Sequence, residues 1–257
     1  MELGLKGKVA IVTGGTEGIG RAAAFMFARE GAKIAICGRK TETVSKVVSD
    51  IEAAGGDAYG MATDIRKSED IDRFMTAVLD KFGRIDILVN NAGTSQRGNF
   101  LEVDDATWAA DLDLKIFGAI RCSRIAIPHM RKQGGGRIIN VTSTGGKQPP
   151  ASSMPTTLSR AAGLALTKAL SKEFAPDNIL VNTVCIGKVK SGQHERRIVR
   201  TGTTPEAYYA KAGKDIPMGR VGETDEAANI IVFLASAAAS YVTGTSINID
   251  GGVSGVL

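Results

Sequence analysis

Short apolar runs alternate along this chain with longer segments in which apolar residues recur at helical spacing. The first run, Val9–Val12, is uninterrupted and rich in β-branched residues, which is typical of a strand buried on both faces. The same pattern predicts six further strands, at Lys33–Cys37, Ala58–Thr63, Ile85–Val89, Arg137–Thr142, Ile179–Cys185 and Ser246–Ile249. Helices are predicted between them, at Arg21–Glu30, Glu42–Ala54, Ser68–Phe82, Ala106–Arg131, Pro155–Phe174 and Thr224–Ala235.

Alternation of this kind predicts an α/β fold, a doubly wound parallel sheet with helices on both faces. The 257 residues suit a single domain, since such folds reach ~250 residues without splitting. Ser68 is expected to cap its helix, and the polar, basic segment Lys188–Asp215 is expected to be less regular. Ligands of such sheets bind beyond the carboxyl ends of the strands, so the turns that follow the strands form the candidate site.

The first of these turns is rich in glycine. Gly14, Gly18 and Gly20 follow the first strand with the spacing G-x-x-x-G-x-G and open the next helix. Glycines let the backbone approach a pyrophosphate, and the free N–H groups and dipole of a helix N-terminus favour its negative charge. A tight turn would also use glycine, but the strand before and the helix after it favour a dinucleotide phosphate site.

Composition narrows the class of protein. The net charge is +5, and the basic residues are scattered among acidic ones, which argues against a nucleic-acid surface and favours small anionic ligands. Cys37, Cys122 and Cys185 are odd in number and lie in apolar surroundings, as expected of reduced core thiols in a cytoplasmic protein. No signal peptide precedes the first strand, and no apolar run approaches the ~18 residues of a membrane span, so neither secretion nor a membrane partner is expected.

Arg39 follows the second strand, where a dinucleotide fold meets the adenosine ribose. An acidic residue at this place would accept hydrogen bonds from a free 2′-hydroxyl, whereas a basic residue suits a 2′-phosphate. The sequence therefore favours NADP(H) over NAD(H). Glu17 weakens this interpretation by adding negative charge to the glycine loop, and a solvated basic turn is the alternative.

Two further strand ends carry polar or small residues. Asp64 could accept a hydrogen bond from the adenine amino group, with Ile65 against the ring, or it could cap the following helix. Asn91, Ala92 and Gly93 follow the fourth strand, where short side chains suit a backbone that lies against a cofactor, or an Asx turn.

Several motifs together resemble the short-chain dehydrogenase/reductase family. They are Thr13–Gly20, Asn90–Gly93, Tyr241–Gly244 and Asp250–Gly252, and the resemblance extends over about Leu5–Gly252. It implies a nicotinamide cofactor, a Rossmann-type sheet of about seven strands, and a homotetramer (or homodimer) built on two long helices and the C-terminal region. The cofactor-binding residues expected here are Gly14, Thr16, Glu17, Gly18, Ile19, Gly20, Arg39, Asp64, Ile65, Asn91, Ala92, Gly93, Arg160, Gly187 and Val189.

The family's catalytic residues are only partly present. Members of this length use an Asn, a Ser and a Tyr-x-x-x-Lys pair; Ser143, after the strand Arg137–Thr142, matches the serine. Thirteen residues on, the family's spacing places Thr156 at the tyrosine position and Arg160 at the lysine position. Lys115 aligns with the asparagine, and Ile186-Gly187 stands where Pro-Gly is usual.

These substitutions change the available proton chemistry. A phenol of pKa ~10 can be brought toward neutrality by a nearby ammonium, but a threonine hydroxyl such as that of Thr156 is a far weaker acid. Arg160 keeps a positive charge that could bind ribose hydroxyls, yet it cannot act as an acid near neutral pH. Burial of Lys115 near Arg160 would lower its pKa into a useful range; alternatively, its ammonium reaches the surface.

Three functions are therefore consistent with the sequence. The first is an NAD(P)-dependent oxidoreductase that interconverts carbonyl and alcohol groups, with proton transfer through Ser143, Lys115 or residues such as His194, Tyr208 and Tyr209. The second is a nucleotide-binding or regulatory subunit without redox activity. The third is non-redox chemistry in which Lys115 acts as a base or forms a Schiff base.

The segment 188–215 is expected to form a lid over a small-molecule substrate. A solvated histidine is the alternative to a catalytic role for His194, and lid packing is the alternative for Tyr208-Tyr209. The basic residues of this segment suggest an acidic or phosphorylated substrate, or else a solvated basic loop; they are Arg196, Arg197, Arg200, Lys211 and Lys214.

Overall fold

Nine strands are present in the computed structural model, which describes residues 2–257. They are β1 (Val9–Thr13), β2 (Lys33–Gly38), β3 (Asp57–Ala62), β4 (Ile87–Asn90), β5 (Arg97–Gly98), β6 (Gly136–Ser143), β7 (Met154–Pro155), β8 (Ile179–Ile186) and β9 (Ser246–Ile249). Seven of them form one parallel sheet in the order β3-β2-β1-β4-β6-β8-β9, which confirms the predicted doubly wound sheet. The short strands β5 and β7, which the sequence did not predict, pair separately and antiparallel.

Nine α-helices connect the strands of the described chain. They are α1 (Gly18–Arg29), α2 (Thr41–Ala53), α3 (Ser68–Phe82), α4 (Asp105–Leu112), α5 (Gly118–Lys132), α6 (Thr156–Phe174), α7 (Gly192–Thr201), α8 (Pro205–Gly213) and α9 (Thr224–Ala235). No helix within residues 2–257 has the length and apolar character needed to cross a membrane.

Strand β1 shows why the sheet is buried on both faces. Its side chains alternate between two apolar clusters: Ala10 and Val12 pack with Phe27 of α1, and Val9 and Ile11 pack with Phe74 of α3. Each fully buried side chain of this size contributes about 1.5–3 kcal/mol, so the two clusters hold the sheet between its helix layers. Strand β1 pairs with β2 on one side and with β4 on the other, so the strand order reverses at β1 and a crevice opens at its carboxyl end.

The long helix predicted over Ala106–Arg131 is interrupted. It begins at Asp105, after Asp104 accepts a hydrogen bond from the Thr107 N–H at 2.8 Å, and a π-helical turn at Asp113–Phe117 separates α4 from α5. The wider turn carries Lys115 into the protein interior, and π turns frequently occur at functional sites. Periodicity alone did not reveal this turn because one extra residue hardly changes the amphipathic pattern.

Three other local predictions were wrong. The segment Lys188–Asp215 is not irregular but contains α7 and α8, and Pro205 begins α8 after Thr204 caps it. Ser68 is the first helical residue of α3 and not its cap, a position that Lys67 occupies without a side-chain bond. Strand β4 begins at Ile87 and not at Ile85, because the Asp86 carboxylate binds the β1 backbone at the Val9 N–H, 2.9 Å away.

The three cysteines are free and buried, as predicted. Burial raises the pKa of the Cys37 thiol to about 12 and that of Cys122 still further from its ordinary value. These thiols therefore stay protonated and serve as small apolar side chains of the core.

Candidate active site

A cleft of about 780 Å³ opens at the carboxyl ends of the parallel strands. It is lined by the turns that follow β1, β2, β4, β6 and β8, as the doubly wound topology requires. We call the part lined by Arg39 and Asp64 the adenosine end, and the part lined by Ser143, Thr156 and Arg97 the reaction end. Nearly all predicted site residues line this cleft: Gly14, Thr16, Glu17, Gly18, Ile19, Arg39, Asp64, Ile65, Asn91, Ala92, Gly93, Ser143, Thr156, Arg160, Gly187 and Val189.

Gly20 is the one predicted cofactor residue outside the cleft wall. A Cβ atom at this position would collide with the Asn91 side chain and the Gly14 carbonyl. Asn91 Nδ2 donates to the carbonyl oxygens of Thr13 and Gly14, at 2.9 and 3.1 Å, and so ties the end of β4 to the glycine loop. Gly20 therefore supports the loop by permitting this close approach, and its contact with a cofactor stays a prediction.

The glycine loop fits a pyrophosphate. Gly14 and Gly18 adopt positive φ angles of +66° and +54°, a conformation that L side chains rarely adopt. The first turn of α1 contains no acidic residue, and no side chain caps its N-terminus. The free N–H groups and the positive end of the helix dipole are therefore available to an anionic group.

Glu17, the residue before α1, forms a bidentate ion pair with α7. The Arg196 guanidinium of α7 donates to both Glu17 carboxylate oxygens, at 2.9 and 3.0 Å. The chain just before Arg196 lies against the loop as well, with Ser191 within 3.7 Å of a Cβ built on Gly18. The negative charge of Glu17 is thus neutralised, and α7 forms one wall of the cleft.

At the adenosine end, Asp64 and Arg39 differ in their partners. Both Asp64 carboxylate oxygens accept hydrogen bonds from Arg66, and this contact holds the pKa of Asp64 below its usual range. Arg39 is exposed in the cleft and makes no ion pair within residues 2–257. One unpaired guanidinium is therefore available where a 2′-phosphate would be bound.

Behind the reaction end, Lys115 occupies a buried polar cluster. Its ammonium pairs with the Asp111 carboxylate one turn earlier and donates to Thr156 Oγ1 at 3.0 Å and to Ser159 Oγ at 3.4 Å. The Lys115 side chain is only 3% exposed, so it does not reach the surface. Burial, followed by the nearby Arg160 charge, lowers the Lys115 pKa to about 8, although Asp111 opposes the shift.

Thr156 belongs to this cluster and also lines the cleft, as Asp111 does. Its Oγ1 atom accepts hydrogen bonds from Lys115 and from the Gln96 N–H, the latter at 2.7 Å. A hydroxyl oxygen has two lone pairs, and both are occupied here. The remaining O–H of Thr156 is therefore free to donate into the cleft that this residue lines.

Ser143 and Arg160 present further donors to the same region. Ser143 Oγ is buried, lines the cleft and has no hydrogen-bond partner within residues 2–257, which fits a group that donates to a ligand. Arg160 Nη1 donates to the Val141 carbonyl at 2.6 Å, which fixes the guanidinium, while its buried Nε has no partner in the described chain. Burial lowers the pKa of Arg160 from its ordinary value, but a guanidinium remains charged near neutral pH.

Three aromatic side chains of α7 and α8 pack together, and only one of them lines the cleft. His194 lines the cleft and packs between Tyr208 and Tyr209, with ring centroids 5.7 and 6.2 Å away. Burial and the Arg197 charge lower the His194 pKa, so the imidazole is neutral at neutral pH. The two tyrosines do not line the cleft; both lie on α8 and pack against His194 of α7.

Comparison with known proteins agrees with this geometry. The family model described as enoyl-(acyl carrier protein) reductase matches residues 14–254. An uncharacterized oxidoreductase of Thermotoga maritima is 37% identical over 254 residues, which cover 99% of this chain and 100% of that protein. The 3-oxoacyl-(acyl-carrier-protein) reductase FabG of the same organism is 34% identical over 249 residues, which cover 97% of this chain and 98% of that one.

A solved structure also matches along the whole chain. It is the crystal structure of L-sorbose reductase from Gluconobacter frateurii, complexed with NADPH and L-sorbose, with a TM-score of 0.95, 32% identity and 100% coverage of both chains. The chain belongs to the short-chain dehydrogenase/reductase family. It is an oxidoreductase of the short-chain dehydrogenase/reductase type, with a cleft for a nicotinamide cofactor.

The reaction end of this short-chain dehydrogenase/reductase contains residues that the sequence did not predict. Asp111 and Ser159 complete the cluster around Lys115, and Gln96 orients Thr156. The i, i+4 spacing of Asp111 and Lys115 on a helix was a usable signal for their ion pair. Gln96 and Ser159 had no comparable signal, because their contacts join segments far apart in the chain.

Proposed function

We propose that the protein reduces the carbonyl group of a small polar compound with NADPH, and that Lys115 supplies the proton through the hydroxyl of Thr156. The hydrogen bond of 3.0 Å between Lys115 Nζ and Thr156 Oγ1 carries the proposal. It connects a buried ammonium to the wall of the cleft. Within the described chain, Lys115 is the only ionisable side chain that forms a hydrogen bond with the Thr156 hydroxyl.

The residues of the cleft would hold NADPH from end to end. The loop at Gly14–Gly20 would hold the pyrophosphate, and the backbone of Asn91–Gly93 would lie against the cofactor. Arg160 would bind the ribose next to the nicotinamide. Arg39, which is unpaired, would bind the 2′-phosphate. The solved relative in complex with NADPH supports this preference over NADH, as does the neutralisation of Glu17 by Arg196.

When bound, the reduced nicotinamide supplies a hydride to the carbonyl carbon. Ser143 would donate a hydrogen bond to the carbonyl oxygen and stabilise the negative charge that develops there. That oxygen would take the Thr156 hydroxyl proton while Thr156 Oγ1 takes a proton from Lys115 Nζ. Lys115 would be left as a neutral amine beside Asp111.

A threonine can fill this role because it relays a proton and does not give one up permanently. Its hydroxyl is a weak acid, but a relay releases one proton as it receives another, so no threonine alkoxide has to form. The acid that is consumed is the Lys115 ammonium, whose pKa of about 8 keeps it protonated at neutral pH. A pKa near the working pH is the condition for efficient general acid catalysis.

The contacts of Lys115 do not favour a Schiff base. Its ammonium donates to Asp111, Thr156 and Ser159, so all three N–H groups are engaged by the protein. Attack on a carbonyl would require the nitrogen to leave this cluster. The oxidoreductase relatives likewise do not favour a nucleotide-binding subunit without redox activity.

Absorbance of reduced nicotinamide tests the proposal directly. NADPH oxidation would be followed with a panel of ketones, aldehydes and oxo acids for the wild type, Thr156→Val and Thr156→Ser. We expect Thr156→Ser to retain activity and Thr156→Val to lose it while still binding NADPH. Borohydride with a carbonyl compound should trap no adduct on Lys115. Undiminished reduction by Thr156→Val would refute the relay.

We also propose that the region of α4–α6 mediates a homotetramer or homodimer, with 188–215 as the substrate lid. Exposed apolar side chains support an interface here: Leu101 is 94% exposed before α4, Phe117 is 49% exposed between α4 and α5, and Leu158 is 42% exposed on α6. Light scattering after size-exclusion chromatography would test the assembly, and Phe117→Lys should weaken it.

A further inference from the structure

We infer that the substrate carries a carboxylate or phosphate group in addition to its carbonyl, and that Arg97 binds this anionic group. The inference rests on the proposed carbonyl reduction, because it assigns the substrate class of the same cleft.

The backbone places Arg97 beside the reacting groups. Strand β5 pairs with β7, so that Arg97 faces Pro155, the residue just before Thr156. The adjacent Gln96 exchanges two hydrogen bonds with Thr156, one from the Gln96 N–H to Thr156 Oγ1 and one from the Thr156 N–H to the Gln96 carbonyl. Arg97 lines the cleft and is exposed to it. Its position relative to the Thr156 hydroxyl is therefore fixed by secondary structure.

The cleft wall contains paired carboxylates and unpaired arginines. Its three carboxylates are all engaged within the described chain: Glu17 by Arg196, Asp64 by Arg66, and Asp111 by Lys115. Arg160 is held by the Val141 carbonyl. Among the arginines of residues 2–257 that line the cleft, Arg39, Arg97 and Arg160 pair with no carboxylate. Of these three, Arg39 and Arg97 also donate no side-chain hydrogen bond to the described chain, so they are the two unpaired arginines.

The two unpaired arginines lie at different parts of the cleft. Arg39 follows β2 at the adenosine end, where the proposed cofactor has its own phosphate. Arg97 lies at the reaction end, where the positive charges of Arg97 and Arg160 both act on Lys115. No anionic group of the cofactor is required at the reaction end, so Arg97 is available to bind an anionic group of the substrate.

The neighbouring wall indicates a small and polar molecule. Side chains with hydroxyl or amide groups surround the reaction end, beside apolar ones such as Ala110 and Leu114. The polar lining residues include Thr94, Ser95, Gln96, Thr107, Gln193 and His194. Such a wall offers hydrogen-bond partners to an oxo acid or a phosphorylated ketose.

Calorimetric titration of the NADP⁺ complex tests this inference without turnover. The probes are 2-oxoglutarate, oxaloacetate and dihydroxyacetone phosphate, each beside its uncharged counterpart: dimethyl 2-oxoglutarate, dimethyl oxaloacetate and dihydroxyacetone. We expect at least one anionic probe to bind tenfold or more tightly than its counterpart, and the carboxylate and phosphate probes identify which anion is preferred. Arg97→Gln should abolish that preference, whereas Arg29→Gln, an exposed arginine of α1 outside the cleft, should retain it.

Two results would overturn the inference: no anionic probe binds more tightly than its uncharged counterpart, or Arg97→Gln keeps the preference. Because binding is measured separately from NADPH oxidation, the inference and the proposed function fail differently. Reduction of uncharged carbonyls without any anion preference would refute the role of Arg97 alone. An anion preference that depends on Arg97, without reduction of any carbonyl, would refute the proposed function and keep the anion site.

Discussion

The ammonium of Lys115 lies 3.0 Å from the hydroxyl oxygen of Thr156, although 41 residues separate them in the chain. The π turn before α5 directs Lys115 inward, and Thr156 begins α6, so two helix ends meet behind the cleft. This contact links a group that can hold a proton at neutral pH to a hydroxyl that can present one to a ligand.

Removing the Thr156 hydroxyl should slow proton delivery to the substrate with little change in the shape of the side chain. Thr156→Val replaces the hydroxyl with a methyl group, and we expect kcat for carbonyl reduction to fall by about 10²–10⁴, the usual contribution of a general acid. NADPH binding, measured by fluorescence titration, should stay within a factor of two. Thr156→Ser is the matched control and should retain most of the activity. A fall in both variants would indicate a packing effect.

The pH profile should report Lys115. Its pKa of about 8 means that the ammonium is present below that pH and is lost above it. Reduction consumes this proton, so we expect kcat to be level at neutral pH and to fall as pH rises through about 8. Lys115→Met should lower the rate and remove the alkaline limb. A limb that persists in Lys115→Met would assign the titration to another group.

The sequence predicted the cleft more completely than the proton relay. Strand periodicity located β1, β2 and β6, and the turns after them follow from the parallel topology. Glycine spacing then located the phosphate loop, because Gly14 and Gly18 adopt the positive φ angles that favour this residue. These features depend on neighbouring residues and on strand order, both of which leave a local pattern.

The relay depends on contacts that leave no such pattern. The family resemblance singled out Lys115 and Thr156 by aligning them with the asparagine and tyrosine positions. Their hydrogen bond, however, depends on the π turn that places Lys115 in the interior, and periodicity does not reveal this turn. The Glu17–Arg196 pair joins residues 179 positions apart. Glu17 therefore looked unfavourable for an anionic cofactor in the sequence, whereas in the structure its charge is neutralised.

Selectivity for NADPH should depend on Arg39. A charge-assisted hydrogen bond contributes about 1.5–3 kcal/mol, so we expect Arg39→Gln to weaken NADPH binding by about 10–100-fold and to leave NADH binding unchanged. Lys40→Gln is the matched control, because Lys40 is also exposed but does not line the cleft. Equal losses for both cofactors, measured by fluorescence titration, would place the 2′-phosphate elsewhere.

Arg196 should matter for the cofactor because it neutralises Glu17. In Arg196→Ala the Glu17 carboxylate faces the phosphate loop unpaired, so we expect several-fold weaker NADPH binding and a larger effect at low salt. The double variant Glu17→Gln/Arg196→Ala should recover binding, because no charge is left to oppose the phosphate. Arg197→Ala, an exposed neighbour that does not line the cleft, controls for lid charge. If the double variant binds NADPH as weakly as Arg196→Ala does, Arg196 contacts the cofactor directly and does not act through Glu17.

Removal of one member of the buried ion pair between Asp111 and Lys115 should destabilise the fold. Both side chains are at most 3% exposed, so Asp111→Ala leaves an ammonium buried without its counter-ion, and such changes cost about 3–5 kcal/mol. Asp111→Leu/Lys115→Met removes both charges and should regain most of the loss, because apolar side chains of similar size replace the pair. Urea unfolding midpoints of the variants would measure both effects.

Lys46→Met provides the control, since the ion pair of Lys46 with Asp50 has the same helical spacing but is exposed, and the unfolding midpoint of this variant should hardly change. A double variant no more stable than Asp111→Ala would show that Ser159 and Thr156, once deprived of their partners, account for the loss.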